Sequence, residues 1–480
     1  MLKRIILKYE HISVQAKAAL WFTICSILQK GVSFIVVPIF TRLLTDEQYG
    51  IYSLYLSWLQ IFTIITSLYL YYGVFNNAMN KYEEDRDTYI SSMQGLTLTV
   101  TSIVAIVCLM FKDYVLELTG LSSFLIILMF VELAVTPALS FWSGKQRFEY
   151  KYKRLVLVTI LKTIANPVIG LIAVLISEDK ATARIASVVL VEVMFCGTVM
   201  VLQFIRGKRI YHKKYWSYAL KLALPLLPHY LSGMILNQGD RLMISKMVGL
   251  SEVAYYSVAY SIGMIVQIVT NAVSNSFTPW VYQKMKKEEY EAIPSTTNAI
   301  LLFVFLISFL MMLCSPELVL IFGSKSYSSA VYVIPPVAAS VYFIYLYNLL
   351  ATPQFYFERT SFLMISSLIA AGINILLNYI FIGMFGYIAA GYTTLVCYVL
   401  YSFGHYLISR KIMAKYMPGK IMFDFKFMML LSIIMILVGC ASNILFDYIL
   451  IRVAIFGCCL VMMYIYRNKI LQVIKLKGKA

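Results

Sequence analysis

Fourteen apolar runs, each long enough to cross a bilayer, follow one another with little chain between them. They lie at about 16–40, 49–76, 88–111, 114–142, 153–176, 181–205, 216–239, 253–280, 294–314, 328–352, 359–380, 385–408, 422–443 and 447–466. A bilayer core offers no water to backbone N–H and C=O groups, so runs of this length are expected to be helices that satisfy those groups internally. The expected fold is therefore an all-α polytopic membrane protein of about fourteen transmembrane helices. With 61% of residues hydrophobic and 13% charged, little is left from which to build a large soluble domain.

The net charge of +18 does not point to nucleic acid, because a nucleic-acid binder gathers its cations on one face or in a tail. Here the basic residues fall in short clusters between apolar runs. The N-terminal tail, Lys81 with Arg86, SGKQRFEYKYKR, RGKRIYHKKYW, QKMKKEEY, FERT, SRKIMAKYMPGK and the C-terminal tail hold roughly thirty of the 41 Lys and Arg. The intervening loops (KDY, SEDK, FGSKS, GMFG, FDY) are short and poor in cations. This alternation favours fourteen spans over thirteen or fifteen, leaves twelve and sixteen open, and places both termini in the cytoplasm. The N-terminus carries no apolar core followed by a cleavage site, so the first span is expected to act as the membrane address. The eight cysteines lie in or beside apolar runs with no metal-ligand spacing and read as packing residues.

The chain repeats itself at a shift of about 204 residues. RLLTDEQYGIYSLYLSWLQIFTIIT lies without gaps over KMVGLSEVAYYSVAYSIGMIVQIVT, pairing Tyr52 with Tyr256, Ser53 with Ser257, Ser57 with Ser261, Ile61 with Ile265, Ile64 with Ile268 and Thr66 with Thr270. The expected organisation is a cytoplasmic segment at 1–15, a six-helix lobe at 16–205, a basic loop at 206–215, a second six-helix lobe at 216–408, a loop at 409–421, two further helices at 422–466 and a basic tail at 467–480. Because the shift passes an even number of spans, the two bundles share one orientation, in a parallel pseudo-twofold arrangement. Such pairs usually enclose a central site, an architecture for alternating access.

Ionisable side chains inside spans are costly, which makes each a functional candidate. The basic ones are Lys30, Lys162, Arg42 and Arg241, with Lys246 falling opposite Arg42 under the repeat. They read either as the wall of a cavity that draws in an anion or as snorkelling and structural ion pairs. Asp240 could hold a coupling cation or proton, or neutralise its neighbour Arg241; Glu132 and Glu192 could pair with Lys162 or couple an ion. His229, between Pro228 and Tyr230, reads as a packed or interfacial residue before a proton relay. Prolines in or at the ends of spans, such as Pro38, Pro137, Pro167, Pro225 and Pro279, allow kinks. The tyrosines include Tyr69, Tyr71 and Tyr72, expected on one helix, and Tyr342, Tyr345 and Tyr347 on another; interfacial belts account for most of them. No nucleotide-binding loop, zinc motif, nucleophile elbow or triad is present, so no enzyme activity and no resident cofactor is expected.

FTRLLTDEQYGIYSLYLSW, PLLPHYLSGMILNQGDRLMISKMVG followed by AYYSVAYSI, and NILLNYIFIGMFGYIAAGYTT resemble the Wzx-type polysaccharide flippases of the multidrug/oligosaccharidyl-lipid/polysaccharide (MOP) exporter superfamily. The resemblance runs along essentially the whole chain. It implies a MATE-like fold in a bacterial inner or plasma membrane. It also implies a flippase that carries undecaprenyl-pyrophosphate-linked oligosaccharide from the cytoplasmic to the outer leaflet, through a cationic central cavity to which Arg42 and Arg241 are carried over. The partners implied are that lipid-linked glycan, membrane lipids, and glycan polymerase and assembly proteins. Lipid II flippases among the relatives resemble sodium-coupled transporters, and by position their cation site would involve Asp240, Asn374, Asn378 and Thr394 here, so coupling to a sodium or proton gradient is implied. Asparagines on the eleventh helix, where an acid would be expected, depart from that pattern. The competing readings are a cation-coupled multidrug exporter of the same fold, which would want an acidic cavity, and a polysaccharide polymerase or ligase, which would want a large outer loop.

Overall fold

The computed structural model describes residues 13–72, 74–359 and 361–475, the side chains at 361, 363 and 466–475 apart. The expected segment at 1–15 and the last residues of the basic tail thus lie largely outside the described residues. Among the described residues the long elements are all helices: α1 (Val14–Leu43), α2 (Asp46–Ser67), α3 (Arg86–Met110), α4 (Ser123–Phe148), α5 (Tyr152–Ile176), α6 (Lys180–Gly207), α7 (Lys213–Met247), α8 (Leu250–Lys286), α9 (Ala292–Leu313), α10 (Ile334–Tyr356), α11 (Ser361–Phe385), α12 (Ile388–Tyr416), α13 (Phe425–Leu445) and α14 (Ile449–Lys475). Eleven of them are long and apolar enough to cross a membrane. The other apolar runs of the sequence overlap α2, α12 and α14, so every run overlaps a long helix; the run at 114–142, however, begins on a separate short helix, Lys112–Thr119, that ends at Gly120 before α4 starts. This is a multi-pass membrane protein. Large apolar side chains such as Ile103, Ile106 and Leu109 on α3, and Leu430, Ile433 and Leu437 on α13, face outward, as lipid-facing residues must.

Helix ends are set by local chemistry. Thr45 and Gln48 form a reciprocal capping box at the start of α2, with Gln48 N on Thr45 Oγ1 at 3.2 Å and Thr45 N on Gln48 Oε1 at 3.0 Å. Asp179 caps α6 and Asp424 caps α13, each accepting a backbone N–H at 3.1 Å. The run expected to continue as helix to residue 76 stops at Ser67, because Leu68 and Tyr69 take left-handed backbone conformations with φ of 49° and 51°. Tyr69, Tyr71 and Tyr72 accordingly sit in a turn, not on one helix. The belt reading also fails for Tyr342 and Tyr345, which are buried in the core around α10.

Helices α6 and α7 change their winding partway, and α8 is interrupted at Met264. In α6 a single π turn, Val193–Gly197, separates two α-helical stretches. In α7 the segment Leu224–Leu226 tightens to a 3-10 turn at Pro225, whose missing N–H interrupts the ladder.

The chain divides into two compact units, Met1–Gln238 and Gly239–Ala480. In the first, α5 packs on α1 and α6, and α3 packs on α4 and the second stretch of α6. In the second, α10 is apolar all round and buried along its length, packed by α8, α9, α12 and α13. The 204-residue shift lays Thr45, whose side chain caps α2, over Gly249, which holds the N-cap position of α8 without a side-chain bond. Ser53 and Ser257 are both buried, as are Thr66 and Thr270.

The segment between α6 and α7 is clamped onto α3. Ser91 Oγ donates to Arg209 O at 2.8 Å and Trp216 Nε1 to Ser92 O at 2.9 Å. Gly95 makes this approach possible, since a Cβ there would lie 2.0 Å from Ile210 O. Backbone cannot yield as a side chain tip can, so Gly95→Ala is expected to cost about 1–3 kcal/mol and to loosen this segment. Faster limited proteolysis between residues 207 and 213 in the variant is the measurement; an unchanged cleavage rate would contradict the clamp.

Candidate functional site

The densest buried polar cluster belongs to the second unit. Asn374 and Asn378 lie one turn apart on one face of α11, and Thr393 and Thr394 follow on α12. Both asparagines and Asp240, from α7, have no exposed surface. Asp240 Oδ1 accepts from Asn378 Nδ2 at 2.6 Å, and Oδ2 accepts from Thr394 Oγ1 at 2.9 Å and from the Tyr256 hydroxyl of α8. Asn378 Nδ2 also donates to Asn374 Oδ1 at 3.2 Å, and its Oδ1 accepts from the Thr393 hydroxyl. Asn374 Nδ2 reaches Thr394 Oγ1 at 3.5 Å. The neighbouring Arg241 donates Nε to Ser257 Oγ at 3.0 Å, with its guanidinium carbon 4.5 Å from the Tyr260 ring and 5.6 Å from the Tyr256 ring. Four helices thus bring one carboxylate, two amides and three hydroxyls together.

Carboxylate, amide and hydroxyl oxygens are hard ligands of the kind that cations such as alkali ions take. Turning the Asn378 amide about its last bond exchanges the donating Nδ2 for Oδ1 and makes it a ligand. Among the described residues no group of three or more His, Cys, Asp or Glu is placed to hold a metal ion.

A second polar cluster lies in the first unit. Lys162 Nζ of α5 contacts Glu192 Oε2 of α6 at 2.7 Å, and Cys196 Sγ donates to the same oxygen at 3.0 Å. Cys196 belongs to the π turn that begins beside Glu192. Glu132 does not share this hydrogen-bond network: its Oε2 accepts from the Tyr55 hydroxyl of α2 at 2.8 Å. The pairing of both acids with Lys162 is therefore corrected to one ion pair and one phenol–carboxylate bond.

The four cationic candidates fall into two settings. Lys30 and Arg42 are exposed on α1, with Arg42 Nη1 folded back onto Pro38 O at 2.7 Å. Lys162 and Arg241 are engaged inside their units by the partners just described. His229 is half-buried on α7 beside Tyr230, with ring centroids 5.7 Å apart.

Two buried arginines escaped the sequence reading. Arg184, 2% exposed, donates to Asn166 Oδ1 at 2.8 Å and Asn166 O at 3.2 Å, and lies 4.2 Å from the Phe40 ring. Gly170 leaves the space for it, since a Cβ there would fall 2.2 Å from Arg184 Nη1. Arg452, at the start of α14, binds Leu313 O and Glu317 Oε2, both at 2.8 Å, and holds the Glu317 carboxyl below its usual pKa range.

The Lsg locus putative protein 1 of Haemophilus influenzae is 23% identical over 285 residues, covering 57% of this chain and 67% of that protein. Among solved structures, a lipid II flippase MurJ in an inward closed conformation superposes with a TM-score of 0.70 at 14% identity, over 94% of this chain and all of that one. An inward-facing multidrug resistance MATE family transporter of the MOP superfamily gives 0.59 at 14% identity, over 83% and 98%. A MOP superfamily transporter from Pyrococcus furiosus gives 0.55 at 15% identity, over 83% and 96%. The chain therefore has the fold of MOP-superfamily transporters. The family described as MatE matches residues 225–380, across much of the Asp240 cluster. The family described as Polysaccharide biosynthesis protein matches residues 16–285, more than half of the sequence and all of the Lys162 cluster, and it is to this polysaccharide biosynthesis protein family that the chain belongs.

Proposed function

We propose that the protein is a flippase that carries a lipid-linked oligosaccharide, in the form of an undecaprenyl-pyrophosphate glycan, from the cytoplasmic to the outer leaflet of a bacterial cell membrane by alternating access. The observation that carries this reading is the union of a polysaccharide biosynthesis family match with a polytopic transporter fold. A pyrophosphate drawn through a low-dielectric region needs compensating positive charge. In this reading Arg42 and Lys30, exposed on α1, meet the pyrophosphate, and Arg241 supplies further charge along a cationic route, while Lys162 is balanced by Glu192. The Asp240 cluster holds the coupling cation or proton, and Glu132 and Glu192 are the acids available for coupling in the first unit. Both termini face the cytoplasm in this orientation.

Deletion of the gene is expected to remove surface glycan and to accumulate its lipid-linked precursor inside. Complementation with Arg42→Ala or Arg241→Ala is expected not to restore export although membrane levels of the protein stay normal, as read by glycan blotting beside immunoblotting. Normal export by both variants would remove the cationic route. The MatE match over 225–380 favours a second reading, cation-coupled export of small amphiphiles. That reading expects a changed drug susceptibility and intact surface glycan in the deletion strain.

A further inference from the structure

A cavity of about 500 Å³ opens in the first unit among the ends of α3, α4, α5 and α6 where the basic loops converge, and neither polar cluster described above contributes a side chain to it. Its cations are Lys145, Lys151, Arg154 and Arg206, and its acids are Asp87 and Glu149. Lys145 pairs with Asp87 at 2.7 Å and Lys151 with Glu149 at 2.6 Å, so the acids are taken up by the lysines. Arg154 and Arg206 are exposed and belong to no ion pair among the described residues. The lining therefore keeps two positive charges in excess.

Below this rim the wall is apolar. One turn along α5 from Arg154 come Leu157 and Val158, and one turn along the antiparallel α6 from Arg206 comes Leu202. Further in lie Met194 and Phe195, which belong to the π turn. A π turn adds a residue to a single turn, widens the helix locally and recurs at functional sites. Trp142 of α4 also lines the cavity, with the mixed polar and apolar character of an interfacial anchor. Gln203, 8% exposed, forms part of the same wall; its Nε2 donates to Ala138 O at 2.9 Å, while its Oε1 has no hydrogen-bond partner among the described residues. Charge at the mouth and an apolar slot beneath it match the shape of a lipid phosphate ester.

We propose that this cavity binds the phosphate headgroup of a lipid, with Arg154 and Arg206 as the phosphate ligands and the slot between α5 and α6 holding the first part of the chain. The site stands independently of the transport reading. Two sources share its chemistry, an anionic phospholipid of the surrounding leaflet and a polyprenyl phosphate.

The experiment uses the full chain in nanodiscs of phosphatidylcholine and phosphatidylglycerol in equal parts, with retained lipid read by native mass spectrometry. The wild type is expected to retain phosphatidylglycerol selectively. Arg154→Gln with Arg206→Gln is expected to lower that retention about 30-fold, from about 1 kcal/mol for each cation near the surface. Leu202→Trp, which fills the slot and leaves the charges, is expected to lower it as well, and an unchanged thermal midpoint shows that each variant is folded. Displacement by undecaprenyl phosphate supports the site and assigns it to polyprenyl phosphate. Resistance to it, with displacement by added phosphatidylglycerol alone, supports the site and assigns it to membrane phospholipid. Equal retention of both phospholipids by the wild type, or unchanged retention in the folded double variant, overturns the proposal. So does displacement by inorganic phosphate as readily as by lipid, because the slot would then contribute nothing.

Discussion

Asp240→Asn is expected to abolish the coupling of transport to an ion gradient while leaving the protein folded in the membrane. Asparagine keeps the side chain's size and can still accept from Asn378 Nδ2 or Thr394 Oγ1, but it carries no charge. A cation that moves with the transport cycle across the full field contributes about 2.3 kcal/mol per 100 mV. Losing that single charge lowers the concentration ratio the protein can sustain about 50-fold at such a potential. Proteoliposomes with an imposed sodium or proton gradient read the loss directly. Downhill movement in the absence of a gradient should be less affected, since the cationic groups are untouched. Wild-type gradient-driven accumulation by the asparagine variant would mean that Asp240 only ties α7, α8, α11 and α12 together.

The helices were legible in the sequence because hydropathy is a local property, and every apolar run overlaps a long helix. What failed was local geometry without a hydropathy signal. The left-handed residues Leu68 and Tyr69 end α2 inside an apolar run, where neither glycine nor proline announces a stop. Of the Asp240 cluster, the acid itself stood out as a charge inside a span, but Asn374, Asn378 and Thr394 entered through a family resemblance. Amides and hydroxyls are too common in helices to be selected by spacing. Tyr256 and Thr393 were not named for the site at all, since which hydroxyl meets which carboxylate depends on how helices pack. Arg184 and Arg452 were not singled out, although both lie inside apolar runs, at 181–205 and 447–466. Their backbone carbonyl partners, Asn166 O and Leu313 O, leave no trace in a sequence, and neither does the Phe40 ring beside Arg184.

Lys162→Met is expected to destabilise the first unit by about 3–5 kcal/mol, the usual cost of leaving one member of a buried pair without its counter-charge. Glu192 is 8% exposed, and its Oε2 would keep only the weak thiol donor of Cys196, at 3.0 Å. The opposite truncation, Glu192→Gln, strands the Lys162 ammonium, whose side chain is 21% exposed and which can retreat toward a more polar layer, so its cost should be smaller. Combining the two replaces an ion pair by a methionine and a neutral amide. The double variant should recover most of the loss, with a coupling energy of about 2 kcal/mol or more in a double-mutant cycle. Thermal unfolding of the four proteins in one detergent gives the cycle. Simple additivity of the two single changes would mean that the pair does not hold α5 to α6. The cycle also bears on mechanism: Glu132, hydrogen-bonded to Tyr55, lies outside this ion pair. Its neutralisation by Glu132→Gln removes no hydrogen bond from that pair, and a transport defect in that folded variant would separate an ion-coupling role for Glu132 from the structural role of Glu192.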